Sequence, residues 1–131
     1  MGNEAGVAAV DRALSILDAF AESDPRLSLA EIAKRTGLYK STVLRLIKSL
    51  EKFGYMHRAG DGAYQLGSKT LFLGSLYQRH FRTSDVVPAV LRQIVDQLKE
   101  GASLYVRDGD HRVCLHRVES THAVRYAVHE G

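Results

Sequence analysis

The chain has 131 residues, 45% apolar and 25% charged, with 18 lysines and arginines against 15 aspartates and glutamates. That is the composition of one folded domain, or of a small domain with part of another, and it excludes a disordered tail. There is no run of about 18 apolar residues to span a membrane, no basic stretch leading into an apolar one at the N-terminus, and only Cys114, which cannot form an internal disulfide and fits a reducing compartment.

The net charge of +3 hides an uneven distribution. Residues 34–58 hold Lys34, Arg35, Lys40, Arg45, Lys48, Lys52 and Arg58 against Glu51 alone, a net of +6, so the other 106 residues sum to −3. Clustered cations are attracted to polyanions and release their counterions, although a solvated helix face has the same composition. The fold of the segment decides between the two.

The predicted elements begin with a helix over Val10–Ala21, where Val10, Ala13, Leu14, Leu17, Phe20 and Ala21 share one face and Pro25 bars continuation. Ser28 and Glu31 stand at capping-box spacing before a short helix that Gly37 closes, with Leu29, Ile32 and Ala33 on its apolar side. A third helix is predicted over about Lys40–Phe53. Val43, Leu46, Ile47, Leu50 and Phe53 face inward, and Ser41, Thr42, Arg45, Lys48, Ser49 and Lys52 face outward; Gly54 ends it. Two short alternating runs, Tyr55–Arg58 and Ala63–Leu66, flank Gly60-Asp61-Gly62, which supplies the positive-φ positions of a hairpin.

Ser68 to about Phe81 reads as a fourth helix whose Leu71, Phe72, Leu73, Leu76, Tyr77 and Phe81 spread over more than one face, so another subunit or domain is expected to cover part of it. A fifth helix is predicted over about Asp85–Lys99, with Pro88 in its first turn and Val87, Val90, Leu91, Ile94, Val95 and Leu98 inward. Strand-like runs follow at Ser103–Arg107, Arg112–Glu119 and Ala123–Glu130, the first two joined by Asp108-Gly109-Asp110. There is no internal repeat and no low-complexity stretch.

Two helices joined by a short glycine-containing turn, preceded by a helix and followed by a hairpin, make a winged helix-turn-helix within an α+β chain. The second helix of such a pair fits a major groove about 12 Å wide, with its N-terminal residues at base edges. Tyr39, Lys40, Ser41 and Thr42 occupy that start, and Arg45 follows one turn later, placed for a bidentate pair with guanine. Lys48 continues the cationic stripe, and His57, Arg58 and Gln65 lie near the ends of the wing.

The segments Val10-Asp-Arg-Ala-Leu-Ser-Ile-Leu, Leu29-Ala-Glu-Ile-Ala-Lys-Arg-Thr-Gly-Leu38, Lys40-Ser-Thr-Val-Leu-Arg-Leu-Ile, Gly54-Tyr and Tyr64-Gln-Leu-Gly-Ser68 resemble the IclR family of bacterial transcriptional regulators, and the likeness runs from about Val7 to Gly131. One departure is Tyr39, where the family usually has proline at the start of the recognition helix. The resemblance implies a winged helix-turn-helix DNA-binding domain at 1–67, a linker helix at 68–84, and the first helix and strands of an α/β effector-binding domain at 85–131. That last domain would be incomplete, whether as a fragment or as a natural truncation, with most of its effector pocket absent. The resemblance also implies a cytoplasmic regulator that acts as a homodimer or tetramer on a palindromic double-stranded DNA operator under small-molecule control. Tyr39, Lys40, Ser41, Thr42, Arg45, Lys48 and Arg58 would then contact DNA, and Leu71, Leu73, Leu76 and Tyr77 would serve dimerisation.

Other chemistries find little support. Cys114 and His116 share a strand face and His122 and His129 follow, but no metal-ligand spacing is present, so no metal site is expected. No phosphate-binding glycine loop or Gly-x-Ser-x-Gly occurs, and Ser41 and Ser49 lie on a solvent-facing helix without a paired base, so neither an enzyme nor a cofactor is expected. The alternative is a winged helix used for protein–protein contact; such a module more often shows exposed aromatics or leucines than a cationic stripe on this face.

Overall fold

The computed structural model describes residues 5–81, 85–121 and 128–131. The elements run α1 (Ala8–Asp18), α2 (Leu29–Thr36), α3 (Lys40–Lys52), β1 (Met56–Arg58), β2 (Tyr64–Leu66), α4 (Ser68–His80), α5 (Val87–Leu98), β3 (Ala102–Asp108) and β4 (His111–Val118). The chain divides into two compact units, Met1–Leu73 and Gly74–Gly131, and the division falls inside α4.

In the first unit, Ile16, Leu27, Ile32, Val43, Ile47, Leu50, Met56 and Tyr64 form one buried cluster that draws on all three helices and both wing strands. Burial of this apolar surface is what holds elements this short in place, since an 8-residue helix such as α2 is marginal alone. The expected inner face of α1 is corrected: Val10 and Leu14 are exposed, and Ile16, which the expected stripe omits, is fully buried. Ala13, Leu17 and Phe20 pack beside Ile16, so the true stripe is rotated by part of a turn and has equally good helical spacing. Val10 and Leu14 instead line an open apolar groove of about 380 Å³ together with Leu46, Leu50 and Tyr55.

The cap of α2 is a full capping box. The Ser28 hydroxyl accepts from the Glu31 amide at 3.2 Å, and the Glu31 carboxylate accepts from the Ser28 amide at 2.7 Å. Arg35, near the end of α2, donates to Asp24 at 2.8 Å and to the Ala19 carbonyl at 2.9 Å, clamping the α1–α2 connection. Three carboxyl groups therefore sit below their ordinary range: Glu31 through the Ser28 amide and then the Ser28 hydroxyl, Asp24 through Arg35 and then Ser23, and Asp61 through the Ala63 amide and then Arg26. Because the folded values are depressed, this stabilisation is complete above the ordinary carboxylate range and is lost as pH falls through the lowered values. The thermal midpoint, followed by circular dichroism between about pH 6 and pH 3, is expected to fall on the acid side, and less steeply in Glu31→Gln. An equal acid slope in the variant would remove Glu31 from this account.

α3 ends one residue earlier than expected. Phe53 caps it and is 64% exposed, contrary to the inward placement expected of it. The reason is the helix stop itself: Gly54, at φ +81°, donates to the Glu51 carbonyl and Tyr55 donates to the Leu50 carbonyl, a Schellman motif that turns Tyr55 onto the core in place of Phe53.

The wing is the antiparallel pair β1–β2, in register Met56↔Leu66, His57↔Gln65 and Arg58↔Tyr64. Of the two glycines expected to have positive φ in its turn, only Gly62 does. Leu27, in the α1–α2 connection, forms a bridge to Tyr64 through paired backbone hydrogen bonds of 3.0 and 2.8 Å, and Arg26 forms an ion pair with Asp61 at the wing turn. This third, one-residue strand has no periodic signal in the sequence.

In the second unit, α5 lies against the β3–β4 hairpin through the buried Leu91 and Val95. Val90, Ile94 and Leu98 are exposed rather than inward, and the two described strands cover only the Leu91–Val95 line of the helix. A register shift between Leu104 and Tyr105 lets both Cys114 and Leu115 be buried. The Gln78 amide of α4 donates to the Leu115 carbonyl at 2.8 Å, and the Ser120 hydroxyl donates to the carbonyl of Lys99, which ends α5 in a left-handed conformation. The expected strand at Ala123–Glu130 lies largely outside the described residues; residues 128–131 form no strand.

Candidate nucleic-acid interface

α2, the turn Gly37-Leu38-Tyr39 and α3 form the helix-turn-helix. Gly37 takes φ +70°, a conformation costly for a side chain, and reverses the chain within three residues. Leu38 packs on the core, so the turn is held from inside. The buried Val43, Ile47 and Leu50 fix the rotation of α3 and leave Lys40, Ser41, Arg45, Lys48, Ser49 and Lys52 exposed, with Thr42 half-buried at the first turn. Tyr39 is the N-cap in extended conformation, is 84% exposed, and provides no side-chain hydrogen bond to the helix start. The first helical hydrogen bond at that end runs from the Val43 amide to the Tyr39 carbonyl, which leaves the amides of Lys40, Ser41 and Thr42 as donors at the positive end of the helix dipole.

The seven cations of residues 34–58 separate into two groups. Arg35 is committed to Asp24 and Ala19, Arg58 stacks over the Tyr64 ring at 5.6 Å, and Lys52 lies 5.8 Å from the Phe53 ring centroid. Lys34, Lys40, Arg45 and Lys48 make no ion pair among the described residues. Arg35 is the one of the seven with an ion pair among the described residues, so the sequence total of +6 overstates the available charge by that one cation, and the rest lies on α3, the adjoining end of α2 and the wing. Arg58 keeps its charge on the wing, held in place by the aromatic ring.

The residues expected to dimerise, Leu71, Leu73, Leu76 and Tyr77, are all exposed, as is Phe72, and α4 has no buried residue. Leu71, Phe72 and Leu73 belong to the first unit; Leu76 and Tyr77 belong to the second. Among the described residues no three His, Cys, Asp or Glu side chains are grouped to hold a metal ion, and His122 lies outside them. No described helix is long and apolar enough to cross a membrane.

Residues 9–60 match the sequence profile of the IclR helix-turn-helix domain, a segment that runs from the second residue of α1 through α2, α3 and β1. The chain is 34% identical to the probable transcriptional regulator SauR of Cupriavidus necator, over all of this chain and 52% of that protein. It is 30% identical to the HTH-type transcriptional regulator KipR of Bacillus subtilis, over 88% of this chain and 46% of that one. The chain carries an IclR-family helix-turn-helix domain. A crystal structure of an IclR family transcriptional regulator from Brucella abortus superposes with a TM-score of 0.70 at 30% identity, over 92% of this chain and 48% of that one. The chain thus spans about half the length of the curated relatives it matches. One exposed side chain on the outer face of α3, Leu44, lay outside the sequence expectations, which sorted the helix into an apolar inner stripe and a polar outer face.

Proposed function

We propose that the chain is the DNA-binding part of a transcriptional regulator, with α3 entering the major groove of an operator. The observation that carries this is the exposed set Lys40, Arg45 and Lys48, without ion pairs among the described residues, on one helix whose start also offers backbone amides as donors. Tyr39, Ser41 and Thr42 lie at the base-edge end, Arg45 reads a base, and Lys40, Lys48 and the wing's Arg58 hold phosphates. The organisation that goes with this is a winged helix-turn-helix over 1–67, a linker helix over 68–84, and the opening of an effector-binding domain over 85–131. Leu71, Leu73, Leu76 and Tyr77 pair two copies on a palindromic operator, as a homodimer or within a tetramer. A small-molecule effector controls the whole protein, in the cytoplasm. The IclR-family helix-turn-helix domain and the apolar surface of α4 support these parts of the reading.

Titrating duplexes selected by the chain from a randomised pool, across a range of salt concentrations, tests the reading. Each neutralised phosphate lowers log K by about 0.9 per decade of salt, so three phosphate-holding cations give a slope of about −3 for each bound copy. Affinity that ignores salt, or no binding at any salt, overturns it and favours a protein partner for the winged helix.

A further inference from the structure

We infer that Leu44 is a sequence-reading residue that recognises a thymine by its C5 methyl group. This rests on the reading of α3 as the helix that enters the major groove. Among the residues of α3, those exposed are Lys40, Ser41, Leu44, Arg45, Lys48, Ser49 and Lys52, and Leu44 is the one apolar side chain in that set. It is 38% exposed and is not among the residues packed on the core, so part of an apolar side chain faces outward from α3.

Helix geometry places Lys40 and Ser41 four and three residues before Leu44, and Lys48 four residues after, all on the same face. Leu44 is thus an apolar patch framed by cations. An apolar protein surface docking there would have to desolvate those ammonium groups without compensation. DNA satisfies both requirements together, because its phosphates meet the flanking charges and the major-groove floor carries one apolar group, the thymine methyl. Leu44 stands one turn into the helix, within the N-terminal stretch that reaches base edges. Next to it, Arg45 takes guanine, so the pair would specify adjacent positions through different chemistry.

The test uses duplexes selected by the full chain from a randomised pool, with each thymine replaced in turn by deoxyuridine, which removes only the methyl group. The wild type is expected to lose about fourfold in affinity at one thymine in each half-site, the value of burying one methyl-sized group. Leu44→Ala is expected to bind thymine and deoxyuridine duplexes equally at that position, with its thermal midpoint within the range of an ordinary surface substitution. Sensitivity to the methyl that is the same in wild type and Leu44→Ala, or no thymine whose methyl matters, overturns the role of Leu44 while DNA binding by α3 stands. No selected duplex at any salt overturns both.

Discussion

Arg45→Ala is expected to lose about 1–3 kcal/mol of affinity per copy for a selected duplex while losing much less for random DNA. Two structural facts make the change clean. Arg45 is exposed and makes no ion pair among the described residues, so its removal leaves no buried partner unsatisfied and little stability is at stake. The informative contrast is Arg35→Ala. Arg35 belongs to the same basic segment, yet its guanidinium joins Asp24 to the Ala19 carbonyl, so that variant should lower the thermal midpoint and change the preference for selected over random DNA little. Binding isotherms on selected and random duplexes, with thermal denaturation of both variants, separate these roles. If Arg45→Ala weakens both duplexes equally, Arg45 is a phosphate clamp and the specificity lies elsewhere on the helix.

Gly67→Ala is expected to lower the thermal midpoint by at least about 8 °C, corresponding to an overpacking cost near or above about 2 kcal/mol in a unit of this size. A Cβ at position 67 would sit 2.2 Å from the Gly54 carbonyl oxygen and 3.0 Å from the Met56 nitrogen, and both of those atoms are backbone with no rotamer to yield. The crowding arises because the Gly67 amide donates to the Tyr55 carbonyl and the Lys69 amide donates to the Gly54 carbonyl, which draws the end of β2 and the start of α4 tightly against the stop of α3. Gly37→Ala is the control: its φ of +70° strains a side chain, but no atom lies within 4 Å of the added Cβ, so its cost should be confined to the left-handed backbone, about 1 kcal/mol. Equal midpoints for the two variants would show that the Gly54 backbone gives way.

What could be read from the sequence were the features encoded locally. Ser28 and Glu31 stand three apart and form their capping box; Gly37 and Gly54 end their helices in positive φ. What escaped depends on distant partners or on a choice between equivalent patterns. On α1, Val10-Ala13-Leu14-Leu17 and Ala13-Ile16-Leu17-Phe20 are both helical stripes, and only α2 and α3 determine which one is buried. Phe53 and Tyr55 are both aromatics at the end of a helix, and the reversal at Gly54 selects Tyr55. In the candidate interface, charge identity was visible but charge availability was not, since the partner of Arg35 is Asp24, eleven residues away. Leu44 was left unassigned, although the inward stripe of Val43, Leu46, Ile47 and Leu50 already sets the rotation of α3 that turns it outward.

The bridge between Leu27 and Tyr64 and the ion pair between Arg26 and Asp61 fasten the wing to the connection between α1 and α2, while Met56 and Tyr64 anchor its strands in the same cluster that seats α3. The wing and α3, the proposed groove-entering helix, thereby share one core and one set of fastenings. A duplex engaged by both must take the spacing the protein presents, so the cost of adjustment falls on the nucleic acid and varies with how easily its base steps bend or its grooves change width. Preference would then extend to base pairs that no side chain touches.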